Sequence, residues 1–131
     1  MNYTSIEQSK KLLELGLSPE SADMAYIENP IGEFKPVAYT PKETIVARDA
    51  RGNDAIIYPC WSVGALWKLM PNIRTEYGII RPKSVKESSK HYPFRYYYET
   101  LHYTDICSTP IEAAFNMIVW LIENNYIKKE E

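Results

Sequence analysis

Polar and apolar positions change period along the chain, and the changes mark out the expected elements. Ile6, Leu12 and Leu13 form an apolar stripe after Thr4 and Ser5, either of which can cap a helix. Glu7 or Gln8, three residues later, completes a capping box. Gly16 after Leu15 fits the left-handed position that ends a helix, with Leu17 folding back as its hydrophobic contact. Ser18-Pro19-Glu20 then predicts a second helical turn running to about Tyr26. Residues 29–41 hold three prolines and a glycine, which exclude helix and leave a loop or an edge segment.

Residues 44–48 and 54–58 read as two strands around turn-forming residues 49–53, the pattern of a β-hairpin. Ser62 caps a helix over 63–70 with Val63, Leu66, Trp67 and Met70 on one face, and Pro71 stops it. Residues 76–81 and 94–103 read as a third and a fourth strand. The Lys- and Ser-rich connection 82–93 between them is expected to be exposed and mobile. Thr109, Pro110 and Glu112 open a last helix over 110–124. Its apolar residues cover three sides and leave only Glu112, Asn116 and Glu123 as a polar line.

The order α-α-β-β-α-β-β-α predicts an α+β fold. A mainly antiparallel sheet of three or four strands carries the helices on one face. At 131 residues, with no repeat and no linker, the chain is expected to form one globular domain, 1–131. Three Trp, eleven Tyr and three Phe supply the anchors of a core. Within that core Phe115, Ile118, Leu121, Leu66 and Trp61 are expected to be largely buried.

A net charge of −2 argues against a protein that wraps nucleic acid through a global positive field. Charge is uneven, however. Residues 71–103 carry six bases and three acids, whereas 1–33 carry six acids and two bases. No apolar run is long enough to span a bilayer, and Met1-Asn2-Tyr3-Thr4 runs directly into a polar helix start, so neither membrane nor leader is expected. Two cysteines without paired-ligand spacing suit free thiols in a reducing cytoplasm, although a Cys60–Cys107 disulfide is compatible with the sequence.

Three groups of residues carry candidate chemistry. Cys60, beside Trp61 at a strand-to-helix junction, can be read as a nucleophile with His91 or His102 as base. An isolated cysteine of this kind more often packs as a small hydrophobe. Cys60, Cys107, His91 and His102 lack the close pairs that zinc sites use, so no metal and no cofactor is expected. Asp105 near His102 is a dyad with nothing around it. The third group is basic and aromatic: Arg81, Lys83, Lys86, Lys90, Tyr92, Arg95 and Tyr97. Its cations can meet phosphates while its rings stack on bases. As a strand, 94–103 puts Phe94, Tyr96 and Tyr98 on one face and Arg95, Tyr97 and Glu99 on the other. The first row then packs under helices, and the second faces a partner or solvent.

Three blocks of the chain belong together. The first is Thr4-Ser5-Ile6-Glu7-Gln8-Ser9 through Gly16-Leu17, with Ala22-Asp23-Met24. The second is Pro59-Cys60-Trp61-Ser62-Val63-Gly64-Ala65-Leu66, with Leu69-Met70-Pro71. The third runs from Thr109-Pro110 through Ala113-Ala114 and Met117 to Trp120-Leu121-Ile122-Glu123-Asn124. In this order they cover about half the chain and resemble a group of short bacterial proteins from gut anaerobes that are often encoded in prophages and mobile elements. The resemblance implies an accessory protein of a mobile element and brings no activity, cofactor or catalytic residue with it.

The expected function is therefore non-enzymatic binding of a protein partner. Single-stranded nucleic acid through 81–98 is the alternative, and a thiol enzyme at Cys60 is a further one. A homodimer is also expected, with Met117 and Trp120 as its contacts, because two-fold association hides apolar helix surface.

Overall fold

The computed structural model describes residues 2–28, 32–38, 57–76, 78–86, 94–104, 107 and 109–128. The predicted hairpin falls outside them up to position 56, as do Lys90, His91, Tyr92 and Asp105. The described chain is α+β. In order it forms α1 (Ile6–Glu14), β1 (Met24–Glu28), β2 (Phe34–Ala38), β3 (Ile57–Cys60), α2 (Val63–Leu69), β4 (Ile73–Thr75), β5 (Gly78–Ile80), β6 (Lys83–Lys86), β7 (Phe94–Tyr98), β8 (His102–Tyr103) and α3 (Pro110–Glu123). Every described pairing is antiparallel. The strands divide into sheets ordered β2-β1-β3, β4-β5 and β6-β7-β8 rather than one sheet of three or four strands. No described helix is long and apolar enough to cross a membrane.

The helices start and stop where local chemistry dictates. The Ser5 hydroxyl accepts from the Gln8 amide, and the Gln8 side chain accepts in return from the Ser5 amide, closing the capping box. Gly16 ends α1 at φ 94°, with Gly16 N–H donating to Leu13 O and Leu17 N–H to Leu12 O, and Leu17 is buried. Ser62 caps α2 and Thr109 caps α3. At the far end of α3, Asn125 takes the left-handed conformation at φ 63°, so Tyr126 N–H reaches Leu121 O and the chain folds back over the helix.

Strands depart from expectation where distant pairing decides them. Only Pro19–Ser21 makes a helical turn after Ser18. The chain then becomes β1, the central strand between β2 and β3, because two ladders outweigh a weak local preference for helix. The proline-rich segment supplies β2, which lies at the edge among the described strands with Pro36 opposite Tyr26. Pro59 lies on β3, at the other edge of the described strands. Of the predicted third strand, 76–81, Gly78–Ile80 forms β5, which pairs as a hairpin with β4 ahead of it. The connection expected to be mobile contains β6, whose Lys83 and Ser84 are exposed but whose backbone pairs with β7.

The core gathers around Trp61, Leu12, Leu66, Tyr98 and the inner face of α3, where Met117, Ile118, Leu121 and Ile122 have no solvent exposure. Trp67 departs from its predicted core face and is 40% exposed. Phe115 is only half-buried at the margin of the core. Phe115→Ala is therefore expected to cost about 1–3 kcal/mol in urea unfolding, below the ~3–5 kcal/mol of an enclosed phenylalanine. A loss in that upper range would place Phe115 in the enclosed core.

Candidate functional site

Strand alternation in β7 assigns its side chains to two environments. Tyr96 and Tyr98 are buried towards the helices, while Arg95 and Tyr97 point to the other side. The Tyr98 hydroxyl donates to Pro71 O at 2.7 Å, which satisfies the polar tip of a fully buried ring. Burial pushes the Tyr96 and Tyr98 phenols above the usual tyrosine range.

On the outer side the register sets Lys83 opposite Tyr97 and Tyr97 opposite Tyr103, a row across three strands. The Tyr97 and Tyr103 rings are parallel, 2° apart in plane and 5.1 Å between centroids. The Arg95 guanidinium lies 5.9 Å over the Tyr103 ring. Lys83 forms a 3.7 Å ion pair with Glu99 at the β7–β8 turn. Lys83 also joins a shallow cleft of about 370 Å³ lined by Ile79, Ile80, Arg81, Glu99 and Thr100. Lys86 stands opposite Phe94 at the far end of β6. The structure thus gathers Arg81, Lys83, Arg95 and Tyr97, and adds Tyr103, which the sequence did not single out.

Tyr103 was missed because 94–103 read as one strand. Six residues of strand would hold Tyr97 and Tyr103 about 20 Å apart. The chain instead turns at 99–101, with Thr100 at φ 64°, and brings the two rings together. Glu99-Thr100-Leu101 holds no Gly, Pro or Asn that would signal such a turn.

The expected dimer contacts lie elsewhere in the molecule. Met117 is enclosed by the chain's own core, so it presents no surface to a second copy. Trp120 is half-buried in a stack: His102 of β8 lies 4.1 Å from its ring on a nearly parallel plane, and Tyr126 lies 5.4 Å away. Within the chain, the fold-back after Asn125 and strand β8 cover part of this side of α3.

Cys60 sits in a buried polar knot rather than a cleft. Its Sγ donates to Thr4 O at 3.4 Å, the acceptor also used by the Tyr26 hydroxyl at 2.7 Å. Burial pushes the Cys60 thiol and the Tyr26 phenol up. A buried thiol held in its protonated form is the opposite of an activated nucleophile. Cys107 is also buried and forms no disulfide with Cys60, and its Sγ accepts from Asn116 Nδ2 at 3.5 Å. Among the described residues no three His, Cys, Asp or Glu side chains converge as a metal site requires.

The raised groups make stability depend on alkaline pH. Cys60, Tyr26, Tyr96 and Tyr98 hold their protons more tightly when folded. Their contribution is complete below the unfolded values of 9.0 for the thiol and 10.0 for the phenols, and drains as pH rises beyond them. The urea midpoint should hold steady from neutral pH to about 9 and fall steeply above 10. A midpoint unchanged above pH 10 would contradict the burial of these groups.

No protein-family model, curated protein or solved structure matches the chain.

Proposed function

We propose that the protein is a non-enzymatic binding protein that engages another protein through the outer face of β6-β7-β8, as an accessory factor of a prophage or other mobile element. The observation that carries this reading is the Lys83–Tyr97–Tyr103 row, held out of the core on the side away from the helices. Tyr103 is 48% exposed. Tyrosines fixed on a sheet are effective contact residues because they offer ring and hydroxyl with little side-chain entropy left to lose.

The same geometry favours protein over nucleic acid. Base stacking needs an open ring face. Here Tyr97 and Tyr103 stack on each other and Arg95 lies over Tyr103. Glu99 partly neutralises Lys83 and repels phosphate. The alternative, a weak single-stranded nucleic-acid binder, draws its support from the cations Arg81, Lys83 and Arg95 around these rings. The setting that two cysteines without paired spacing suit is a reducing cytoplasm, in which Cys60 and Cys107 form no disulfide.

The test is recovery of partners from the native cell with the tagged full chain and with a Tyr97→Ala/Tyr103→Ala variant. A protein retained by the wild type after nuclease treatment and lost from the variant supports the reading. A partner that persists with the variant, or recovery of nucleic acid alone, overturns it.

A further inference from the structure

The cleft at the end of the outer face has a chemistry of its own. It lies where the β4–β5 hairpin gives way to β6, and the β7–β8 turn closes its other side. Ile79 is 65% exposed there, the most exposed large apolar side chain among the described residues. Arg81 is exposed beside it and has no carboxylate partner among the described residues. Lys83 is paired with Glu99, so the three charges of the cleft leave one net positive charge, and Arg81 carries it. Thr100 at its rim keeps a left-handed backbone, φ 64°, which a β-branched residue adopts only against a steric cost.

We infer that this cleft binds an extended acidic segment of a partner protein, with an aliphatic side chain packed on Ile79 and a neighbouring carboxylate on Arg81. The inference rests on the reading of the chain as a protein-binding module and deepens it. Three observations select this occupant. The Arg81 guanidinium matches one carboxylate in a two-pronged geometry, and a single charge left uncompensated by the described residues suits one acid rather than a run of phosphates. Ile79 and Ile80 offer branched aliphatic surface, which packs with aliphatic side chains and gives bases nothing to stack on. Strand β5 pairs only with β4 among the described residues, and an extended backbone can add to the second edge that those residues leave unpaired. Lys83 belongs both to the cleft and to the tyrosine row, so one partner can occupy both without a break.

A random heptapeptide display library selected on the full chain tests this directly. The recovered peptides should carry Asp or Glu within two positions of Ile, Leu or Val. They should bind Arg81→Ser roughly tenfold or more weakly than wild type, the loss expected for one charge-assisted contact, and Lys68→Ala as wild type. Both substituted residues are exposed, so both variants should fold. Failure to recover peptides, peptides without an acid, or equal binding to Arg81→Ser would overturn the inference. So would an oligothymidylate that binds more tightly than the peptides and is weakened by Arg81→Ser. A native partner lost with Tyr97→Ala/Tyr103→Ala but kept with Arg81→Ser would overturn the cleft assignment while leaving the broader reading intact.

Discussion

Trp61→Ala is expected to lower the unfolding free energy by about 3–5 kcal/mol, the largest loss from any single change considered. The side chain has no solvent exposure and sits at the junction of β3 and α2. Its indole N–H donates to Ser21 Oγ at 3.0 Å, and its backbone O accepts from Thr4 N–H at 2.8 Å. One residue therefore ties the N-terminal segment, the turn after α1 and the start of α2 to the core. Trp61→Phe keeps most of the packing but loses the indole bond and some volume, so it should cost about 1–2 kcal/mol. Urea unfolding followed by circular dichroism measures both. A loss under about 1 kcal/mol for the alanine variant would mean that Trp61 does not organise this junction.

Thr4→Val is expected to cost about 2–4 kcal/mol although it changes shape very little. The Thr4 hydroxyl is fully buried, lies 2.8 Å from Ser9 Oγ and accepts from Trp61 N–H at 3.1 Å. Valine leaves both groups without that partner in a place where water does not compensate. Adding Ser9→Ala to Thr4→Val removes one of the stranded groups, so the double variant should lose less than the sum of the singles. Strict additivity in the urea-derived free energies would show that the two hydroxyls do not act as a pair.

The sequence was most informative where structure is local. Thr4 or Ser5 with Glu7 or Gln8, then Gly16, Ser62, and Thr109 with Pro110 marked the helix boundaries, and the structure selects Ser5 with Gln8, because caps are decided by residues within one turn. Period-two alternation separated Tyr96 and Tyr98 from Arg95 and Tyr97 before any pairing was known. β1 was not legible, since Met24–Glu28 becomes a strand only through ladders to β2 and β3. The cleft was not legible either: Ile79 and Glu99 come together only through the pairing of β6 with β7. The cover over Trp120 depended on an asparagine in place of glycine at the end of α3, a rarer stop signal.

If the outer face of β6-β7-β8 is the contact surface, titration calorimetry of the purified native partner against wild type and the Tyr97→Ala/Tyr103→Ala variant will separate the two proteins. Loss of two clustered tyrosine anchors should cost at least about 2 kcal/mol of binding, roughly thirtyfold in Kd, with the folded state retained. An unchanged Kd for the folded variant would contradict the claim.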